Sequence, residues 1–95
     1  MKIPEEIKDF HIIKAIEAID KNGFPKQYKS KKYELIYNGE TYPSKYVIAL
    51  AYQLMKGYKS MDDLDFSCSK FHGGKQTTSF LKKRGFEIHE IKPSH

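Results

Sequence analysis

Tyr33-Glu34-Leu35-Ile36-Tyr37-Asn38-Gly39-Glu40-Thr41-Tyr42-Pro43-Ser44-Lys45 places a hairpin and a corner in one short stretch, and the rest of the chain is read outward from it. Asn38-Gly39 stands between two alternating segments. A type I′ turn needs positive φ at both central residues, and Asn-Gly meets that demand best, so Tyr33 to Tyr37 and Glu40 to Tyr42 are expected to pair. Pro43 cannot donate to a ladder and has a φ suited to a first helical turn. The chain should therefore leave the sheet there and coil, with Ser44 as a cap. From Lys45 to Lys56 the apolar residues Val47, Ile48, Leu50, Ala51, Leu54 and Met55 recur at helical spacing. Lys45, Tyr52 and Lys56 are expected to point away from that stripe, and Gly57 is the stop. Each large side chain fully buried along it contributes roughly 1.5 to 3 kcal/mol.

On the N-terminal side, Pro4 followed by Glu5 and Glu6 is a good helix opening. Ile7, Phe10, Ile13 or Ala15, Ile16 and Ile19 then repeat at helical spacing until Asn22-Gly23. A break near Asp9 to His11, dividing this run into a turn and a longer helix, is an open alternative. Phe24-Pro25 through Lys32 reads as a polar, basic loop. On the C-terminal side, Ser60 and Asp63 resemble a capping box for one short turn, and Phe66 and Phe71 are expected to plug the core. Gly73-Gly74 precedes a helix from Lys75 to Arg84 with Thr77, Phe80 and Leu81 inward. Gly85 closes that helix, and Phe86 to Ile91 alternate as a last strand.

The predicted fold class is α+β: three helices and a short turn against a small antiparallel sheet made of the hairpin and the C-terminal strand. The same elements also fit a winged-helix description. With 95 residues the chain has room for one domain, expected over residues 1–92, with a loose tail at residues 93–95. Its single cysteine, Cys68, excludes an intramolecular disulfide. No apolar run approaches the roughly 20 residues of a membrane span, and a cytoplasmic location is expected.

The formal charge of +5 fits a polyanionic partner. Its distribution sharpens that reading. From Ser67 through Arg84 there is no acid, while Lys70, Lys75, Lys82, Lys83 and Arg84 all lie there. A second cluster holds Lys26, Lys29, Lys31 and Lys32. The acids gather in the first segment, at Glu5, Glu6, Asp9, Glu17 and Asp20, and in Asp62, Asp63 and Asp65, so one basic side is expected. Opposite Phe80 and Leu81, the last helix carries Lys75, Gln76, Thr78, Ser79, Lys82 and Lys83. Lysines suit phosphates, and Gln and hydroxyl groups suit base edges or backbone oxygens. Gly73 and Gly74 at its start leave amides open to an approaching phosphate. The bland reading of this surface is a solvated cationic helix face with two glycines that only permit a turn.

Chemistry beyond binding finds little footing. Cys68 and His72 have no second ligand pair nearby for zinc, and His11, His89 and His95 are scattered, so no metal site and no cofactor are expected. No phosphate-binding loop, HExxH or nucleophile elbow occurs. A Mg²⁺-dependent nuclease through Asp62, Asp63 and Asp65 is outweighed by a capped, solvated turn. No catalytic residue is assigned.

Asn38-Gly39-Glu40-Thr41-Tyr42-Pro43-Ser44-Lys45 with its following helix, then Asp65-Phe66, Gly73-Gly74 and Phe80-Leu81-Lys82-Lys83-Arg84-Gly85-Phe86, resembles the N-terminal head domain of McrA-like HNH restriction endonucleases. The resemblance covers most of the chain and is weakest before Asn22. It implies a DNA-associated accessory module of a defence system, without the nuclease part. The spacing from Phe66 to Gly73 is longer than the family pattern. Tyr42, Pro43, Lys45, Gly73 and Gly74 are the matching residues. Two functions follow as expectations. The first is a non-enzymatic DNA-binding module using Lys45, Lys70, Gly73, Gly74, Lys75, Gln76, Thr78, Ser79, Lys82 and Lys83, with Lys29, Lys31, Lys32 and Tyr42 as secondary contacts. The alternative is a protein-interaction module or inhibitor that docks on a nuclease, which an exposed patch of Tyr28, Tyr52 and Tyr58 without adjoining lysines would favour.

Overall fold

The computed structural model describes residues 3–29, 33–57 and 75–91. Their elements are helix α1 (Asp9–Asn22), a 3₁₀ turn (Lys26–Tyr28), strands β1 (Tyr33–Tyr37) and β2 (Glu40–Pro43), helix α2 (Ser44–Lys56), helix α3 (Lys75–Lys83) and strand β3 (Glu87–Glu90). The expected short turn with Ser60, Asp63, Phe66 and Phe71 lies outside the described residues. The α+β architecture is as expected, with three helices against one antiparallel sheet ordered β2-β1-β3.

The hairpin forms as its dipeptide demands: Asn38 has φ 52° and Gly39 has φ 81°. Their turn sets the pairing of Tyr37 with Glu40, Leu35 with Tyr42 and Glu34 with Pro43. On the other side of β1, Leu35 faces Ile88 and Ile36 faces Glu87. Because side chains alternate between faces, Tyr42, Leu35 and Ile88 form one inward row. Leu35 at its centre is fully buried.

One step beyond the last paired residues, Tyr33 falls opposite Ser44. The Ser44 hydroxyl donates to the Tyr33 carbonyl at 3.1 Å, which ties the first turn of the helix to the start of β1. Ser44 is thus no cap; the cap position is Pro43, and the serine oxygen is turned back toward the strand. This anchor also sets the rotation of α2. Ser44, Ile48 and Tyr52, spaced four apart, all fall on the buried face. Tyr52, expected outside, is 5% exposed, while Leu54, expected inside, is 44% exposed. Lys56 lies over the Tyr52 ring at 5.8 Å.

α1 packs along α2 and supplies Ile12, Ala15, Ile16 and Ile19 to the core. The chain before it makes a turn, with the Ile7 N–H on the Pro4 carbonyl, so the alternative with a break holds and the helix begins at Asp9. Ile3 and Ile7 are buried from this turn, whereas Phe10 is 52% exposed because the break rotates it off the inward stripe. The first turn of α1 is closed by the Lys8 N–H donating to His11 Nδ1 at 2.9 Å. Burial first, then Lys14 and Lys8, hold the His11 pKa below its usual value, which keeps that ring nitrogen free to accept.

α3 buries Thr77, Phe80 and Leu81 as expected and ends in a Schellman motif. The Phe86 N–H meets the Leu81 carbonyl, the Gly85 N–H meets the Lys82 carbonyl, and Gly85 takes φ 87°. Phe86 and Leu81 close the motif from within the core.

A second lock joins α1 to the corner. The Tyr42 hydroxyl donates to Asp20 Oδ1 at 2.7 Å, and burial together with that bond pushes the phenol pKa up to about 12. Y42F should cost about 1 kcal/mol and lower Tm by roughly 4 to 8 °C. A raised folded pKa favours the neutral phenol, so this contribution is complete below pH 10 and is lost as pH rises through about 12. Chemical denaturation across that interval should show the gap between wild type and Y42F closing; a constant gap would mean that the phenol does not titrate late.

Candidate nucleic-acid interface

The outward side of α3 is built by elimination. Thr77, Phe80 and Leu81 turn to the core, so Ser79, Lys82 and Lys83 turn to solvent, and all three are exposed. The helix carries no acid in its first turn and ends on the two lysines. Gln76 and Thr78 are half-buried at the flanks and are engaged in interactions of their own. Lys75 opens the helix. Lys45, in the first turn of α2, is half-buried and also engaged. Lys29 is exposed just after the 3₁₀ turn. Lys31, Lys32, Lys70, Gly73 and Gly74 lie outside the described residues, as do Cys68, His72 and the three aspartates of the acidic connector.

Two sequence expectations change at this surface. Tyr42 is 5% exposed with its hydroxyl committed to Asp20, so its ring presents nothing to a partner. The basic side is also not of one sign. Gln76, Ser79, Lys83 and Arg84 share a depression of about 240 Å³ with Ile3 and Glu5. Lys83 and Arg84 line another with Lys8 and Asp9. The acidic first segment thus folds against one flank of α3. It also brings Lys8 beside Lys83, a juxtaposition across the whole chain that no local pattern signals.

Arg84, counted in the basic cluster from sequence, is a structural residue. Its Nε donates to the Ile7 carbonyl at 2.8 Å, Nη1 to the Phe80 carbonyl at 3.1 Å, and Nη2 to the Glu5 backbone carbonyl and to Glu5 Oε2, each at 3.4 Å. The guanidinium also lies 3.6 Å from the Phe80 ring centre. Its side chain is 13% exposed, against 64% for Glu5, so the weight rests on the two short bonds to backbone carbonyls rather than on the screened ion pair. Among the described residues no group of three or more His, Cys, Asp or Glu side chains could hold a metal ion. Nor is any helix among them long and apolar enough to cross a membrane.

A hairpin, a tight strand-to-helix corner and a cationic final helix capped into a third strand define a small α+β module. The chain belongs to the ScoMcrA-like N-terminal head domain family, whose model matches residues 5–90. That membership gives it a restriction and defence context. Comparison with curated proteins and with solved structures returns no match.

Removing the Arg84 fork should loosen the N-terminal turn. R84A is expected to cost about 2 to 3 kcal/mol, and R84K most of that, because an ammonium cannot reproduce two diverging bonds to carbonyls. Urea unfolding should show the midpoint falling at unchanged slope. A midpoint within error of wild type would assign the guanidinium to the surface.

Proposed function

We propose that the domain is a non-enzymatic module that holds DNA for the restriction system to which its family belongs, with α3 as the principal contact. One observation carries this reading: Ser79, Lys82 and Lys83 stand together on the exposed side of a helix that has no acid of its own. Lysine ammonium groups are compact point charges suited to phosphate oxygens, and the serine hydroxyl adds a donor. Lys8 beside Lys83 extends the cationic strip onto the first segment, and Lys29 offers a separate contact. Glu5 and Asp9 border the strip on one flank, which directs a backbone toward the Lys82 side.

Docking on a nuclease is the competing reading. It draws on Phe10, a large apolar side chain 52% exposed and set 4.1 Å from the His11 ring. Of the tyrosine patch that would have favoured it, Tyr52 is buried and Tyr28 has Lys26 and Lys29 close by in sequence; Tyr58 lies outside the described residues.

Duplex titration at two ionic strengths tests the leading reading. Two to three neutralised phosphates give a slope of log affinity against log salt of about −2 to −3. K82E/K83E should abolish that binding with no change in thermal stability, since both side chains are exposed. Duplex affinity unchanged in the double variant would remove α3 from the interface. F10S decides the competitor: a variant that keeps DNA binding but no longer associates with the partner nuclease selects docking, and retained association rejects Phe10 as the contact.

A further inference from the structure

Away from α3, three rings gather at the 3₁₀ turn. Phe24 lies 6.1 Å from Tyr46, and Tyr28 lies 5.0 Å from Tyr46 with its ring tilted by 30°. Phe24 and Tyr46 rest on the hydrophobic core, and Tyr28 lies against Tyr46. Tyr28 is half-buried, so part of the residue stays accessible. Pro25 introduces the turn in extended conformation, and the turn itself closes through the Tyr28 N–H on the Pro25 carbonyl and the Lys29 N–H on the Lys26 carbonyl. The lysines on either side of Tyr28, Lys26 and Lys29, are both exposed, and the turn has no acid in it.

We propose that Tyr28, backed by Tyr46 and Phe24 and flanked by Lys26 and Lys29, is a stacking platform for an unpaired nucleotide of a DNA strand. A ring supported from behind loses little freedom when a base stacks on its open face, and any base offers a π surface, so the contact tolerates sequence. Two cations on one short turn match the phosphates on either side of a stacked base. An apolar protein segment would gain from the rings but nothing from lysines placed on both sides of them. A duplex presents phosphates but keeps its base faces stacked inside. Of these three partners, an unpaired strand is the one that uses both features. This inference rests on the DNA reading above but concerns a different surface and a different state of the strand.

The test compares a labelled oligothymidylate with a duplex of the same length on the full chain. Y28A should weaken single-strand binding by about 5- to 150-fold, the range for one lost base stack, while duplex affinity stays at the wild-type value. Y28F, which keeps the ring, should bind like wild type. K26A/K29A should reduce the salt slope on the single strand by about 1.4. In the unaltered chain, photocrosslinking of an iodouracil-substituted strand should map to Tyr28, which decides the matter even where Y28A fails to fold. Crosslinks confined to α3, single-strand affinity unchanged in Y28A, or equal losses on single strand and duplex would each overturn the platform. Duplex binding untouched by K82E/K83E alongside a Tyr28 crosslink would uphold this site and overturn the α3 reading alone.

Discussion

The molecule depends on a hydrogen bond made where the sheet ends, from the Ser44 hydroxyl to the Tyr33 carbonyl. At the position opposite Tyr33 the backbone turns into a helix, and the Ser44 side chain holds that turn against the first residue of β1. That anchor sits where β2 passes into α2 with no connecting loop, so the rotation of the helix is tied to the register of the hairpin. A shift of one residue in the hairpin would carry Leu35 and Tyr42 to the wrong face and would turn the Ser44, Ile48 and Tyr52 row out of the core. α1 then packs on a helix whose orientation is already set. Tyr42, next to the same corner, fastens it through Asp20. At the far end Arg84 ties the N-terminal turn to the last turn of α3, across seventy-seven residues of sequence.

Features that a few neighbouring residues determine are legible in the sequence. Asn38-Gly39 demanded positive φ twice and obtained it, Gly85 ended α3, and Thr77, Phe80 and Leu81 were spaced to leave one cationic side. What local pattern could not contain was rotation. The apolar spacing of α2 fits two faces about equally well, and the Ser44 anchor chose the one that buries Tyr52 and leaves Leu54 outside. Phe10 was misplaced for a related reason, since the turn before Asp9 breaks the phase in which Ile7 and Phe10 would have shared a stripe. The roles of Arg84 and Tyr42 are non-local: each is read only when a partner distant in sequence is brought alongside. The same holds for Lys8 beside Lys83, and for the acids that border α3.

Arg84 is the only arginine in the chain, and it is spent on the fold. A planar guanidinium is suited to this task because its nitrogens diverge in one plane toward carbonyls while its face lies on an aromatic ring. Every other fixed cation is a lysine. The division has a functional side. Arginine is the residue best shaped to hold a guanine edge by two bonds, and none is left for that purpose. Lysines on an exposed helix make contacts that position a backbone and carry little base information.

Base preference would then rest chiefly on the polar side chains. Of those on α3, Gln76 and Thr78 sit at half-buried flanks and are already engaged, while Ser79 is exposed and offers one hydroxyl. A stacked base at Tyr28 would be held by its face, which discriminates among bases only weakly. On the proposed DNA reading, both surfaces therefore favour retention of a strand over recognition of a sequence. A domain of that kind would raise the local concentration of DNA for another part of a restriction system and leave the choice of site to that part, because linkage of binding modules multiplies avidity without any new specific contact.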